Sequence, residues 1–526
     1  MADDVDETVA TDASGDASGE TVPEDEDPAG SSTFFLQGGT TLFGNVFGKA
    51  IKFGFFLAAT RLTTQSTFGV YTLAISIVMF SQSFSNINLN RAVDYFIPQH
   101  LADNDHDGAN QVFWNVIGIT VPSTVVVLGV VLLFSDRISA LFGESALSAI
   151  MPYVALLVLL VALNRILFAT FNSIKKMHYR VLTKNLTQPI LMLGSVVVFL
   201  SLGFSLHGLM LAHLLGVLGS VLLGLWLLYR KVNWISWPTY NRDSISSLVS
   251  YSLPLAFAGV IYATVAQIDY FVIGYFHPAA DVASYRVAYL LATNILIVHT
   301  AIKPIFKPMI AEKQHDGNAR RERYQLIVRW VTMLTFPAVV TLLVLPGQYL
   351  SLFFSAKYAV AAPALVLLVV GQFLNISVGP SGRFIESIGR TRITFLNTVV
   401  LVSLNSILDF ALVPTFGIVG AATATATSLT FLAVLTATEI RVFEGFVPVD
   451  RSLVKLWLSG LLTLISGYFI VQIVGRRIET ALIAPVAVLA LYFILLVVFD
   501  SFTAEDRRAV NQIDDRLGYK VFSRII

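Results

Sequence analysis

Basic side chains lie within long apolar segments of this 526-residue chain, where an unpaired charge is costly. Lys49 and Lys52 share one face of the first apolar segment with Asn45, because the three are spaced four and three residues apart. Arg91 ends the second segment, and Arg286 begins a later one. Guanidinium and ammonium groups bind phosphate oxygens strongly. The pattern predicts a cationic wall that receives an anionic headgroup. If the first helix begins later, both lysines lie instead at the membrane interface.

The second segment carries polar residues at steps of four along its second part and just beyond its end: Gln82, Asn86, Asn90 and Asp94. On one continuous helix they form a stripe that faces other helices or a water-filled cavity. Asn86 and Asn90 are therefore predicted to bind substrate beside Arg91. The alternative is that Arg91 pairs with Asp94 at the cytoplasmic end of the helix.

The later segment that begins with Arg286 carries a possible cationic ladder. Arg286, Thr293, Thr300 and Lys307 are spaced seven residues apart, and Lys303 lies nearby. On one continuous helix these residues would extend from one membrane surface to the other. An anionic headgroup that crosses the membrane would need such a series of positive charges. Lys303 is the predicted binding residue at the inner end. Both lysines can also be read as ordinary cytoplasmic positive charges.

Two acids in apolar segments, Asp269 and Asp409, either pair with a buried base or take up Na⁺ or H⁺ for coupling. Arg165 either binds substrate or reaches the cytoplasmic headgroups. Three asparagines either bond sugar hydroxyls or hold helices together: Asn375, Asn397 and Asn405.

The sequence predicts no catalytic residues and no metal site. The chain has no cysteine, and its eight histidines form no HExxH motif. Asp103, Asp105, His106 and Asp107 resemble a metal cluster but fit a solvated turn better. Without a Walker motif, ATP is not the fuel within this chain, and we expect a transporter rather than an enzyme, with no cofactor except possible Na⁺ or H⁺ coupling.

The elements that must position these side chains are membrane-spanning helices. The chain is 55% hydrophobic and 13% charged, and an apolar run of about 20 residues spans a bilayer. The prediction is an all-α polytopic membrane protein with about 14 transmembrane helices, at 40–61, 69–92, 111–134, 148–171, 184–203, 206–229, 247–275, 282–306, 326–346, 359–380, 391–411, 417–440, 453–474 and 480–499.

Loop charges predict the orientation in the cell membrane. Lys and Arg concentrate in alternate loops, and such loops stay in the cytoplasm, so both termini are predicted to be cytoplasmic. Lys357 falls in an outer loop and is expected to be a neutral control position. The predicted division is a disordered acidic cytoplasmic tail (1–34), an N-terminal six-helix lobe (35–230), a cytoplasmic linker (231–245), a C-terminal six-helix lobe (246–442), two additional helices (443–500) and a cytoplasmic tail (501–526).

The amino-terminal tail differs in composition from the rest of the chain. Residues 1–30 hold eleven acids and no Lys or Arg, whereas the remainder carries 23 acids and 35 bases. Such a polar, acidic segment cannot bury an apolar core and is predicted to be disordered. Tails of this kind are typical of halophilic archaea, which we expect to be the source.

The two halves of the chain repeat. The start of the second predicted span (68–74, FGVYTLA) matches that of the eighth (282–288, VASYRVA), and the Gly-rich segment 203–208 matches 416–420. Matching spans lie six apart and so have the same orientation, which predicts two parallel lobes related by pseudo-two-fold symmetry about the membrane normal. A cleft between such lobes allows alternating access.

These motifs, with the run 267–274 (QIDYFVIG), resemble the polysaccharide-type flippases of the multidrug/oligosaccharidyl-lipid/polysaccharide exporter superfamily over about residues 35–500. The resemblance implies two six-helix lobes. It also implies transfer of oligosaccharides linked to polyprenyl phosphate or pyrophosphate to the outer leaflet, for surface polysaccharide or glycoprotein glycan assembly. Membrane lipids and glycan-assembly enzymes are the expected partners, and nucleic acid is not.

Two other functions are weighed against this one. An ion-coupled multidrug antiporter of the same fold exports organic cations and usually places an acid in the first span, where this chain has Lys49 and Lys52. A membrane glycosyltransferase or polymerase usually needs a sizeable outer loop with catalytic acids, and the predicted outer loops are short.

Overall fold

The computed structural model describes residues 28–311, 316–503 and 505–508, without the side chains of 28–43, of Asn45 and of seven residues between 303 and 311. Every regular element in this part of the chain is helical, which confirms the predicted fold class. The predicted tail lies mostly outside the described residues, and the first helix begins at Pro28.

The helices fall into two halves and a terminal pair. The first half holds α1 (Pro28–Leu62), α2 (Gln65–Ser85), α3 (Leu89–Ala102), α4 (His106–Leu133), α5 (Ser135–Leu141), α6 (Ser145–Ser173), α7 (Met177–Arg180), a π-helix (Val181–Thr187), α8 (Gln188–Ser201) and α9 (Ser205–Lys231). Within this half α8 packs on α9, α6 packs on α4 and α9, and α1 packs on α8. The linker to the second half runs over 232–241.

The second half holds α10 (Arg242–Phe276), α11 (Ala279–Asn294), α12 (Ile297–Ala311), α13 (Gly317–Val344), α14 (Pro346–Phe353), a 3₁₀ helix (Ala356–Ala361), α15 (Ala362–Ile376), α16 (Ser381–Ser387) and α17 (Thr391–Glu444). The terminal pair is α18 (Arg451–Val474) and α19 (Ile478–Val498). The two halves meet where α2 packs on α10 and α11. The terminal pair, α18 and α19, packs on α13 of the second half.

Eleven helical segments of the described chain are long and apolar enough to cross a membrane. One of them, α17, has 54 residues and turns sharply at Gly417 (φ 53°, ψ −132°), so each of its arms is long enough for a span of its own. The chain is therefore a multi-pass membrane protein, while the count of fourteen and the lobe boundaries stay predictions.

Each half breaks a helix that the sequence predicted to be continuous. The predicted span 69–92 divides into α2 and α3, because Ile87 and Asn88 adopt positive φ angles of 44° and 54°. The predicted span 282–306 divides into α11 and α12 after Asn294. The stripe at steps of four and the ladder at steps of seven were therefore wrong as faces of single helices.

Close backbone packing brings α1 against the π-helix. A Cβ atom on Gly48 would lie 2.2 Å from the Asn185 carbonyl oxygen, and one on Gly44 would lie 2.1 Å from a methyl carbon of Val181. Neither position leaves room for a side chain larger than hydrogen. The two glycines thus set how near the lysines of α1 come to the π-helix.

The segment after α19 is fastened to α13. Asp506 and Arg329 form a buried ion pair, and Asp506 also accepts from Trp330 Nε1 at 2.7 Å and from the Thr503 N–H at 2.8 Å. Arg329 donates further to the Ser501 carbonyl at 2.5 Å. We call Ser501, Thr503 and Asp506, together with Arg329 and Trp330, the C-terminal clasp.

Candidate functional site

A cavity of about 540 Å³ lies among helices of the first half and is completed by two helices of the second half. Its walls come from α1, α2, α6, the π-helix, α8, α9, α10 and α11. Five basic side chains line it: Lys49, Lys52, Arg165, Lys184 and Arg286. A cavity of this volume can hold a ligand the size of a small molecule, such as a polar lipid headgroup, but not a macromolecule.

The cavity carries uncompensated positive charge. None of its described lining residues is acidic, and none of its five bases takes part in an ion pair of the described chain. Lys52 lies within electrostatic range of Arg286, and Lys184 lies within range of Lys52 and Arg165. Like charges held together in a low-dielectric site repel, so this arrangement is suited to a polyanion that neutralises them.

Two helical irregularities place the lysines. The tight contact at Gly48 sets Lys49 and Lys52 beside the π-helix, which carries Lys184. A π-helical turn inserts an extra residue into a helix and is frequent at functional sites. Lys184 Nζ lies 5.4 Å from the ring centre of Phe168, so an aromatic face supports its charge.

Arg286 is held in place by aromatic groups. Its Nη1 donates to the Tyr270 hydroxyl at 2.9 Å, and its guanidinium carbon lies 5.3 Å from the Tyr270 ring centre and 5.5 Å from that of Phe56. These contacts fix the guanidinium plane without cancelling its charge. Arg286 therefore keeps its capacity to bind an oxyanion.

The structure brings together only part of the predicted binding set. Lys49, Lys52 and Arg286 line the cavity, whereas Asn86, Asn90 and Arg91 lie outside its lining. Asn86 caps the end of α2 and donates to Asn90 at 3.4 Å, and Arg91 is exposed on α3 within electrostatic range of Asp94. The side chains of two further candidates lie outside the described residues: Asn45 and Lys303.

Sequence reasoning missed two lining residues and left a third open. The loop-charge pattern places Lys184 among the cytoplasmic loop residues, no sequence pattern points to His213, and the pattern around Arg165 fits either substrate or lipid headgroups. Arg165 on α6 and Lys184 face the cavity. Their depth within apolar helices was the available signal.

The two acids predicted to couple an ion lie side by side in the second half. Asp269 on α10 and Asp409 on α17 are buried and within electrostatic range of each other. Asp269 also accepts from Tyr285 Oη and, at 2.9 Å, from Thr425 Oγ1. Neither oxygen of Asp409 has a donor among the described residues, so the pair can hold a proton or a small cation.

The asparagines of α17 take part in helix contacts. Asn397 donates to Glu439 at 2.7 Å, and Asn405 donates weakly to Thr425 at 3.5 Å. Both contacts join the two arms of α17. They favour the prediction that these amides hold helices together.

Hydrogen bonds join the two halves at the end that loop charges predict to be outer. Arg61 donates to the carbonyls of Leu352 and Phe353 (3.2 Å to the latter), the last residues of α14. Lys357 donates in return to the Thr63 carbonyl, just beyond α1. We call this set the outer latch. Lys357 is therefore not the neutral control that its loop position suggested.

The acidic loop around Asp105 forms the start of α4 rather than a metal site. Asp105 accepts from the Gly108 N–H and from His100 Nδ1, both at 2.8 Å. The Gly108 N–H, followed by His100, holds the pKa of the Asp105 carboxyl below its usual value. No group of three potential metal ligands occurs among the described residues, and Asp105 acts as a helix cap.

Solved structures of transporters share this fold. The lipid II flippase MurJ in an inward closed conformation aligns with a TM-score of 0.72 over 88% of this chain and 98% of its own, at 15% identity. An inward-facing multidrug resistance MATE family transporter of the MOP superfamily aligns with a TM-score of 0.61 over 75% of this chain and 94% of its own, at 14% identity. At these identities the likeness concerns the fold alone.

Sequence comparison gives the family. A Haloferax volcanii protein named probable low-salt glycan biosynthesis flippase Agl15 is 23% identical over 400 residues, which cover 75% of this chain and 80% of that protein. Residues 58–363, more than half of the chain, match the family described as polysaccharide biosynthesis protein. The resemblance seen in the repeated motifs is thereby confirmed, and the chain belongs to the polysaccharide biosynthesis protein family.

Proposed function

We propose that this protein is a flippase that moves oligosaccharides linked to polyprenyl phosphate or pyrophosphate from the cytoplasmic to the outer leaflet. The observation that carries the proposal is the cavity with five bases and no acid among its described lining residues. The family and the relative named as a glycan biosynthesis flippase support the same substrate class. The product would serve surface polysaccharide or glycoprotein glycan assembly.

The chemistry of such a substrate matches the cavity. Its polyprenyl tail can stay in lipid, whereas its phosphate and sugars cannot cross the hydrocarbon core unaided. Lys52 and Arg286 would bind the phosphate oxygens, with charge-assisted hydrogen bonds replacing lost hydration. Glycan-assembly enzymes on either side of the membrane are the expected partners.

We infer alternating access from the outer latch. Two bases on opposite lobes each cap a carbonyl at the end of the facing lobe's helix, where the helix dipole is negative. Opening the cavity toward the outer side requires these bonds to break while others form. The hydrogen bonds of Arg61 and Lys357 would therefore stabilise a state in which the cavity is closed toward the outer side.

Coupling would lie at the pair Asp269 and Asp409. Two buried carboxylates in contact repel unless one is protonated or a cation lies between them. Carboxylate, hydroxyl and amide oxygens from Asp269, Thr425 and Asn405 fit a hard cation such as Na⁺. Uptake and release of Na⁺ or H⁺ would then alter the packing of α10 against α17.

A multidrug antiporter is the second function compatible with this fold. Its organic cation would meet Lys52, Lys184 and Arg286 in the cavity and be repelled. The described lining favours an anionic substrate over a cationic one.

The test is transfer of a fluorescent polyprenyl diphosphate-linked sugar in proteoliposomes. Lys52→Glu and Arg286→Ala should each reduce the transfer rate by at least about a hundredfold, because a buried phosphate loses a charged partner. Lys231→Glu and Arg137→Ala, at exposed positions of the first half, are the matched controls. Transfer at the unaltered rate in both cavity variants, at equal protein level, would refute the cationic-cavity mechanism.

A further inference from the structure

A hydrogen-bonded tyrosine–histidine pair lies within the cationic cavity. Tyr71 on α2 and His213 on α9 both line it, and the Tyr71 hydroxyl lies 2.8 Å from His213 Nδ1. Both side chains are largely buried, and Lys52 lies within electrostatic range of the imidazole. His213 Nε2 has no hydrogen-bond partner among the described residues.

The repeat gives this pair a counterpart in the other lobe. Tyr71 matches Tyr285 in the repeated segments, and His213 and Thr425 each lie five residues after the matching glycines of the second repeated motif. Tyr285 and Thr425 are likewise hydrogen-bonded, at 3.1 Å. The same structural position therefore carries a tyrosine and a partner from the last helix in both halves.

The third member of each set explains how the halves differ. Asp269 lies sixteen residues before Tyr285 and bonds it, whereas the position sixteen residues before Tyr71 is Phe55, whose ring centre lies 6.0 Å from that of Tyr71. The carboxylate of the second half is thus replaced by an aromatic wall. In the second half Tyr285, Thr425 and Asp269 hydrogen-bond one another. In the first half the imidazole of His213 keeps one nitrogen, Nε2, without a partner among the described residues.

We propose that Tyr71 and His213 recognise the sugar unit attached to the phosphate, an inference that rests on the proposed function. Tyr71 fixes the imidazole ring by bonding Nδ1, so Nε2 is left to bond a ligand in the cavity. Nε2 donates in one tautomer and accepts in the other. A sugar hydroxyl can satisfy either, since it both donates and accepts, whereas a phosphate oxygen only accepts.

This arrangement divides recognition between charge and hydrogen bonding. Lys52 and Arg286 would hold the diphosphate, and His213 next to Lys52 would contact the first sugar. A headgroup that lacks the sugar leaves His213 without its bond but keeps every ionic contact. The two kinds of residue should therefore respond differently to removal of the sugar.

The experiment compares two probes on the purified full chain in lipid nanodiscs: farnesyl diphosphate, and farnesyl diphosphate carrying one N-acetylglucosamine. We expect His213→Phe, which keeps an aromatic side chain but removes both nitrogens, to weaken binding of the sugar probe about tenfold. Its affinity for farnesyl diphosphate should change by less than about twofold. His213→Gln, which retains polar groups, should restore part of the loss.

The controls separate recognition from folding and from the anion site. His207→Phe makes the same substitution six residues earlier on α9, at an exposed position outside the cavity lining, and should leave both affinities unchanged. Lys52→Glu should weaken both probes alike. If His213→Phe weakens both probes equally, or neither, sugar recognition by this pair is refuted. If Lys52→Glu weakens neither, the proposed function itself fails.

Discussion

At the scale of single residues, the most informative feature is the separation of buried positive charge from buried negative charge. Four bases of the first half and Arg286 of α11 line the cavity, and the acids Asp269 and Asp409 lie close together in the second half. Both arrangements are costly inside a membrane without a partner. A chain keeps such groups where a ligand supplies the missing charge, which is the physical basis of both proposed sites.

The first prediction concerns coupling. Asp409→Asn removes one charge of the pair and should leave transfer no longer responsive to an imposed Na⁺ or pH gradient, because the site loses its affinity for the ion. The measurement is transfer of the fluorescent glycolipid in proteoliposomes under each gradient separately. Asp243→Asn, at an exposed position of α10, is the matched control. Persistence of the gradient response in Asp409→Asn would exclude the carboxylate pair as the coupling site.

At the scale of elements, packing of α1 on the π-helix determines the spacing of three cavity lysines. Gly48→Ala places a methyl group against the Asn185 carbonyl, only 2.2 Å away. We expect a loss of about 1–3 kcal/mol in stability from this overpacking, together with slower transfer as Lys52 and Lys184 move apart. Thermal unfolding in detergent and the transfer assay measure the two effects.

Gly129→Ala is the control for this substitution. Gly129 lies within α4, and a Cβ atom there meets nothing within 4 Å. Alanine has a higher helix propensity than glycine, so this variant should be neutral or slightly more stable. Equal behaviour of the two variants would mean that α1 can shift without consequence.

The outer latch offers a second prediction about elements. Gln65 Nε2 donates to Ser284 Oγ at 3.2 Å across the lobes, beside the bonds of Arg61 and Lys357. Because the chain has no cysteine, Gln65→Cys with Ser284→Cys can be joined by a short bis-methanethiosulfonate crosslinker, which forms two reducible disulfides by displacing sulfinate, without side reactions at other thiols. Transfer should stop on crosslinking and return on reduction.

Each single-cysteine variant treated with the same reagent should remain active. Continued transfer by the crosslinked double variant would show that the lobes need not separate at this end. Such a result would argue against alternating access as proposed here.

At the scale of the whole molecule, the C-terminal clasp ties the last two helices to the second half. Asp506→Ala leaves Arg329 buried without its carboxylate, which typically costs about 3–5 kcal/mol. We therefore expect a clear fall in the unfolding temperature. Arg507→Ala removes an exposed pair with Asp500 (3.0 Å) and should cost at most about 1 kcal/mol. Equal stability of the two variants would show that the clasp adds nothing.

The class of molecule and the positive sign of the cavity's charge can both be predicted from the amino-acid sequence. Apolar segments of span length predict transmembrane helices, because hydrocarbon tolerates only backbone whose hydrogen bonds are satisfied internally. The cost of burying charge singled out Lys49, Lys52 and Arg286, which the structure gathers in one cavity. Asp269 and Asp409 were found by the same reasoning, although 140 residues separate them.

Which helices meet, and where they break, depends on three-dimensional packing that the sequence pattern does not record. Periodicity assigned Asn86 and Asn90 to a binding face beside Arg91, but left-handed backbone at Ile87 and Asn88 ends the helix first. The close packing allowed by Gly48 and the extra residue of the π-helix bring Lys184 into the cavity. A pattern along one helix records its faces, whereas a site depends on contacts between helices distant in the chain, and those contacts follow from three-dimensional packing.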